Sequence, residues 1–365
     1  MILALLAIVA LAYVAQMIWL RVGLDRSDAL PRRIGYTPTV AVIVAARNEE
    51  DVIGDCVSSL LRLEYPLEKL EIIIVNDSSS DRTAEIVLAL AEKNSVIKLH
   101  NSVPGKDNLR GKTNAVAQGI AISQGEILMF TDADCVVPPT WVAATVERFE
   151  DKVGVVGGFT TLEMESAFGG VQALDWLFLF ELASSMAGWR MPLTVIGNNL
   201  SVRRAAYEAS GGFANIPFSV TEDYALVQAI VTRTKYTVSF PQEKGARVLS
   251  KPCRSVRQLY RQKQRWAVGG LDMVFRGLVL TAVGWLLRIL LILTFATGAS
   301  PTAWTALLSM ILVDYMFLWK GLRRFDLQKG DRYLIPFEFY FTFYVIVLPF
   351  IALLSKDVVW KERKL

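Results

Sequence analysis

The residues Met1 to Leu20 carry no charged side chain. A helix of that length rises about 30 Å, the thickness of a bilayer core. Positive charges follow this run, at Arg21, Arg26, Arg32 and Arg33. A cleaved signal peptide has the reverse order, with positive charge before the apolar stretch. The pattern therefore predicts a retained transmembrane anchor over 1–22, with the next segment in the cytoplasm. The whole chain of 365 residues is 53% hydrophobic and 20% charged, which suits one polar part joined to lipid-embedded parts. A net charge of +4 is too small to argue for a nucleic-acid partner.

From about Thr39 the pattern changes. VAVIVAA (40–46) is a short, β-branched apolar run that ends in RNEE. A helical pattern through Val52, Val57, Leu60 and Leu61 follows, then LEIIIVN (70–76), then DSSSDRT and a second helix through Ile86, Val87 and Leu90. VIKLHN (96–101) reads as a third strand. A helix from about Lys112 leads to EILMFTDAD (126–134), a fourth. Strands alternating with helices, and apolar on both faces, predict an α/β fold around a parallel, Rossmann-like sheet. Such sheets bind ligands beyond the carboxyl ends of their strands. RNEE, NDSSSD and DAD all fall at those ends. Residues 166–190 are apolar apart from Asp175 and Glu181, and read equally as a helix lying at a membrane or as ordinary core.

Three more apolar runs cover roughly 278–297, 302–319 and 334–354, the first two separated by Gly298-Ala-Ser-Pro301. Basic residues follow the second run (Lys320, Arg323, Arg324, Lys329, Arg332) and form the tail (Lys356, Lys361, Arg363, Lys364). Three full crossings would leave that tail outside, against the positive-inside tendency. Pro336 and Pro349 leave a re-entrant last segment open, so two to three C-terminal spans are expected. Arg288 and Asp314 are ionisable residues inside apolar runs, where an unpaired charge costs at least ~2.5–3.5 kcal/mol. They stand about 12 and about 14 residues from the turn, a mismatch of about 3 Å. They are expected to pair across an antiparallel hairpin; the alternative is that Arg288 snorkels to the surface.

Asp132-Ala133-Asp134 directly follows a buried strand. Two carboxylates so placed can converge on a hard divalent cation, Mg²⁺ or Mn²⁺, that bridges a diphosphate. Alternatively they are solvated acids in a turn. Asp77, at the end of the second strand, can accept hydrogen bonds from a base or ribose. DSSSD offers backbone N–H groups at a helix start, for a phosphate or as a plain cap. Thr221-Glu222-Asp223 opens a helical stretch, where an acid serves as general base or as helix cap. Gln262, Arg265 and Trp266 share one helical turn; arginine can clamp pyrophosphate and tryptophan can stack on a sugar. A basic helix on lipid headgroups is the alternative. Cys56, Cys135 and Cys253 lack metal-ligand spacing, and the single histidine, His100, leaves little material for triad chemistry.

RNEE, VNDSSSDRT, GKTNA, TDAD, TED and QxxRW occur here in one order. In that order the chain resembles the family 2 glycosyltransferases, above all the membrane-integrated branch with ceramide glucosyltransferase and the cellulose and hyaluronan synthases. The resemblance covers about residues 40–270. It implies a GT-A nucleotide-sugar domain over 38–270 and an interfacial helix with membrane segments over 271–365. The activity implied is inverting transfer from a nucleotide-sugar, a UDP-sugar in the first instance, to a lipid or lipid-linked acceptor. It also implies donor contacts from Glu49, Asp77, Lys112, Asp132, Asp134, Gln262 and Arg265. Asp134 and Asp132 would hold Mg²⁺ or Mn²⁺. Asp223 would be the base, Arg265 would assist catalysis, and Glu222 and Trp266 would lie on the acceptor side. The setting implied is a bacterial-type inner or plasma membrane with the catalytic domain in the cytoplasm. A short processive polysaccharide synthase is the alternative, although the few spans weigh against a polymer channel.

Two other classes fit the sequence less well. Gly105 to Thr113 looks like a P-loop, but five residues separate its glycines where the N–H cradle needs four. A transporter or scaffold would not need so many acids at strand ends.

Overall fold

The computed structural model describes residues 1–269 and 275–354, with the backbone of 359–360 and 363–364. Lys356 and Lys361 of the basic tail, and residues 271–274, lie outside the described residues. The chain divides into two compact units. One contains Met1–Ser27, Glu163–Leu193 and Pro252–Val358; the other contains Asp28–Leu162, Thr194–Lys251 and the last residues.

The second unit is an α/β domain. Its elements run β1 (Val40–Ala46), α2 (Ile53–Leu60), β2 (Leu70–Asn76), α3 (Thr83–Ala91), β3 (Ile97–Asn101), α4 (Gly111–Ile122), β4 (Ile127–Asp132), α5 (Trp141–Val146), β5 (Val153–Gly157) and β6 (Thr160–Leu162). After an excursion into the other unit come β7 (Asn199–Arg203), α7 (Arg204–Ala209), α8 (Glu222–Arg233), β8 (Thr237–Ser239) and β9 (Val248–Ser250). Seven strands form one sheet in the order β3-β2-β1-β4-β7-β5-β8. β1 pairs in parallel with both β2 and β4, so the strand order reverses between β1 and β4. That reversal is where such sheets open a ligand crevice.

The sheet is not all parallel. β7 runs antiparallel to β4 and to β5. Its sequence, NLSVR, is too short and polar to announce a strand by periodicity. It is held by neighbours more than 40 residues away. Val40, Val42, Val44, Ile72, Ile74, Ile127 and Met129 alternate onto one sheet face, where Ile53, Val57, Trp141 and Phe149 cover them.

The first unit is helical: α1 (Ile2–Asp28), α6 (Ala167–Gly188), α9 (Val256–Gly269), α10 (Phe275–Thr297), α11 (Pro301–Arg324) and α12 (Leu334–Leu354). Among the described residues four stretches are long and apolar enough to cross a bilayer: Ile2–Asp28, Gly277–Thr297, Pro301–Arg324 and Gln328–Ile351. The predicted turn forms as its residues dictate. Gly298 takes φ +133°, Ser300 Oγ accepts from Ala303 N at 3.1 Å, and Pro301 occupies the first turn of α11. α12 is one continuous helix with Pro349 inside it. α6 is buried nearly all round, which decides for core over a helix lying on a membrane surface.

Arg288 and Asp314 pair across the α10–α11 hairpin, Nη2 to Oδ2 at 3.2 Å, and both are almost fully buried. Tyr13 on α1 donates from its hydroxyl to the other carboxylate oxygen at 2.6 Å.

Candidate active site

The registers of the sheet bring three predicted positions to one edge. Ala46 lies opposite Asn76, and Ala45 opposite Asp132. RNEE, Asp77 and the Asp132–Asp134 turn therefore leave the sheet side by side. The first two turns are tied together by their own side chains. Asn48 and Ser78 both adopt positive φ, at 51° and 56°. Arg47 Nη1 donates to the Asp77 carbonyl at 2.7 Å, and Glu49 N donates to Thr83 Oγ1 at 2.8 Å. Asp77 is buried and accepts from Ser102 Oγ at 3.0 Å.

Of the two readings of the DSSSD turn, the structure favours the cap, because four N–H groups at this helix start are already taken. Ser79 N donates to Asn76 Oδ1, Ser80 N to Asn48 Oδ1, Arg82 N to Glu50 Oε2 and Thr83 N to Asp81 Oδ1. Two of the four acceptors, Asn48 and Glu50, come from the neighbouring RNEE turn, so the packing of the two turns against each other is what uses up these donors.

The third strand end carries the charge. Lys112, in the first turn of α4, donates from Nζ to Asp132 Oδ1 at 2.6 Å. The same ammonium lies 3.3 Å from Glu222 Oε1, at the start of α8. Sequence positions 112, 132 and 222 thus meet at one cation, with side chains 20%, 35% and 16% exposed. Asp134 takes longer, weaker contacts, from Cys135 Sγ at 3.5 Å and Ser250 Oγ at 3.4 Å. Burial pushes the Asp134 carboxyl up, and the neighbouring charge of Asp132 pushes it further.

A divalent cation fits this donor set. Both candidate ligands are hard carboxylate oxygens, and their mutual repulsion is what a cation relieves. Among the described residues no group of three or more His, Cys, Asp or Glu could hold a metal by itself. Asp132 and Asp134 would therefore share the ion with oxygens of a bound ligand.

Asp223, next to Glu222, stands against Gly197. A methyl group on Gly197 would meet Asp223 Oδ2 at 2.4 Å. The absence of a side chain there is what lets the carboxylate occupy its place. No periodicity or motif signals this contact, since 26 residues separate the partners.

Gln262, Arg265 and Trp266 stand on α9, in the helical unit, all partly buried. Their helix is as predicted. Its neighbour Lys263 is buried and ion-paired to Asp175 of α6. Sequence reasoning missed this pair. A charge inside an apolar run at Asp175 was the available signal.

A Rossmann-like sheet with an acid pair at the end of its switch-point strand fits the GT-A fold that the family resemblance implies. The sequence matches the Glycosyl transferase family 2 profile over residues 41–211, and the Glycosyl transferase family group 2 profile over residues 127–354. The chain belongs to the family 2 glycosyltransferases. It is 29% identical over 246 residues to the Bacillus subtilis (strain 168) protein named Probable glycosyltransferase YdaM, across 66% of this chain and 57% of that one. It is 30% identical over 243 residues to a poly-beta-1,6-N-acetyl-D-glucosamine synthase of Staphylococcus aureus (strain MSSA476), across 65% and 56%. The chain thus spans little more than half the length of these relatives. Among solved structures, the fold is shared with a mannosyltransferase, PcManGT from Pyrobaculum calidifontis, in complex with GDP-Man and Mn²⁺. The TM-score is 0.57 at 19% identity, covering 96% of this chain and 99% of that one.

Proposed function

We propose that this glycosyltransferase moves a sugar from a UDP-sugar to a lipid or lipid-linked acceptor at the cytoplasmic face of the membrane, with inversion at the anomeric carbon. The observation that carries this reading is the meeting of Asp132, Lys112 and Glu222 at the end of the switch-point strand. One cation there links the carboxylate of the DAD turn to the acid that precedes the candidate base. Asp77 and Glu49 would hold the nucleoside, and Lys112 the diphosphate. Asp223 would take the proton from an acceptor hydroxyl as that oxygen forms its bond to the sugar carbon. Gln262 and Arg265 are assigned to the diphosphate, and Trp266 to the acceptor, on their motif alone. Mg²⁺ or Mn²⁺ on Asp134 and Asp132 would supply charge neutralisation to the leaving diphosphate.

A second reading, a short processive polysaccharide synthase, is favoured by the Staphylococcus aureus relative, whose name is that of a polymer synthase. One experiment separates the two. Membranes containing the protein are incubated with labelled UDP- and GDP-sugars, and the product is extracted and sized. A product soluble in organic solvent and carrying one sugar supports the lipid acceptor. A long polymer supports the synthase, and labelling from GDP-sugars alone removes the UDP assignment. Chelation by EDTA should abolish transfer and Mg²⁺ or Mn²⁺ should restore it; full activity in chelator would exclude the metal.

A further inference from the structure

The QxxRW segment contains a residue that the motif leaves unspecified. Lys263 lies three positions before Trp266, on the same face of α9. It is 3% exposed, which is rare for lysine. Asp175 of α6 pairs with its ammonium. Tyr340 of α12 donates from its hydroxyl to the same carboxylate at 3.2 Å. The ammonium also sits between two rings, 4.3 Å from the centroid of Trp266 and 4.2 Å from that of Tyr344 on α12. Trp176 of α6 closes the cluster, with its ring 5.7 Å from that of Trp266.

Each contact has a directional consequence. A cation attracts the face of an indole, and the attraction strengthens when both are removed from water. The ammonium is fixed in turn by a carboxylate, and the carboxylate by a tyrosine hydroxyl. The indole of Trp266 therefore has its plane set from below by a charge that is itself held on three helices. Gln262 and Arg265, at neighbouring positions on the same helix, are only partly buried.

We propose that Lys263 is a positioning residue for Trp266, and that Asp175, Tyr340 and Tyr344 hold Lys263 for that task. The last apolar helix, α12, thereby fixes the orientation of the ring assigned to the acceptor. This rests on the reading of Trp266 as an acceptor-side residue given under the proposed function. Lys263 touches no substrate in this scheme. Its loss should slow transfer without weakening the hold on the nucleotide.

The test uses membranes containing the full chain, labelled UDP-sugar as donor and the acceptors those membranes contain. UDP binding to the purified chain with Mn²⁺ is the separate readout. Lys263→Met keeps the aliphatic stem and removes the charge. It should lower kcat about tenfold, as a small misplacement of a substrate-holding group does, with UDP affinity unchanged. Lys263→Arg restores a cation able to pair and to stack, and should recover most of the rate. In a Trp266→Leu background, which has no ring face for the cation, the further loss from Lys263→Met should shrink to about twofold or less, because the lysine acts through the indole. Wild-type rates in Lys263→Met, full additivity with Trp266→Leu, or a parallel loss of UDP binding would each overturn the proposal.

Should Lys263→Met fail to fold, the Tyr344 pair decides. Tyr344→Phe keeps the ring and should match the wild type, whereas Tyr344→Leu should be slower. Equal rates for the two overturn the proposal. If the wild-type membranes transfer no UDP-sugar at all, the proposed function fails. If they transfer it and are indifferent to Lys263, only this inference fails.

Discussion

The helical unit and the sheet unit both bury acidic side chains, and they answer them differently. In the helical unit Asp314 has a partner for each oxygen, Tyr13 at 2.6 Å and Arg288 at 3.2 Å. In the sheet unit Asp132 shares one lysine with Glu222, and Asp134 is met by a thiol and a hydroxyl at 3.4 Å or more. A carboxylate fully answered by its own fold has nothing left to offer a ligand. One answered by weak neutral donors keeps lone pairs for an incoming cation. The same residue type therefore signals stability in one unit and chemistry in the other. Partner geometry tells the two cases apart, and burial agrees with it: Asp314 is fully buried, whereas the Asp132 side chain is 35% exposed.

The largest effect expected from this contrast is on turnover. Asp223→Asn should lower kcat about 10²–10⁴-fold while unfolding at an unchanged temperature. Near-full turnover in a folded Asp223→Asn protein would remove the assignment of Asp223 as base. The mirror-image expectation holds in the helical unit. Arg288→Leu or Asp314→Leu leaves a buried charge unpaired, at a loss of about 3–5 kcal/mol in stability. Thermal unfolding in detergent measures it. The double change should partly restore stability. The restoration is incomplete because Tyr13 also hydrogen-bonds Asp314. Simple addition of the two losses would show that the pair is not a unit.

Much of this was legible in the sequence, and the reasons differ by region. Arg288 and Asp314 could be matched because a helical hairpin converts sequence distance into height along a known axis. The strands β1, β2 and β4 announced themselves as buried β-branched runs, and their acids followed from the rule that ligands bind at strand ends. β7, β5 and β8 stayed hidden, because NLSVR, VGVVG and TVS are too short or too polar and glycine-broken to carry a periodic signal. Lys112 was assigned to the donor by motif, but its bridge from Asp132 to Glu222 depends on sheet order. At DSSSD the residues leave phosphate site and plain cap both open, and only the packing of the RNEE turn against it, through Asn48 and Glu50, favours the cap. The Asp175–Lys263 pair joins residues 88 positions apart, and only an odd acid in an apolar helix hinted at it.

A smaller effect probes how tightly the candidate base is seated. In Gly197→Ala the new methyl would press on the Asp223 carboxylate, and something must move. A shift of the base by a fraction of an ångström lowers kcat by up to about 10²-fold. The donor KM should stay near its wild-type value, because Gly197 faces the base. If donor KM rises while kcat holds, Gly197 belongs to the nucleotide side and the seat for Asp223 is lost as an idea.

The smallest effect belongs to a surface ion pair in the sheet unit, and it tests whether solvent alone separates the two regimes. Lys98 on β3 reaches Glu71 on β2 at 2.9 Å, closer than Arg288 reaches Asp314. Distance would make it the stronger pair. Exposure argues the opposite, because the Lys98 side chain is 52% exposed and water screens the attraction. Lys98→Ala should therefore lower stability by no more than about 1 kcal/mol, and by less as salt is raised. Glu71→Ala should cost more than Lys98→Ala, for a separate reason. Glu71 Oε1 also accepts from the backbone N–H groups of Gln124 and Gly125, at 2.5 and 3.0 Å, and their loss strands two donors at the entry to β4. Urea unfolding of the two variants at low and high salt measures both terms. The Lys98 loss should fade with salt and the excess loss of Glu71→Ala should persist. A Lys98→Ala loss as large as that of Arg288→Leu would mean that proximity, not burial, governs these pairs, and the contrast between the two units would fall.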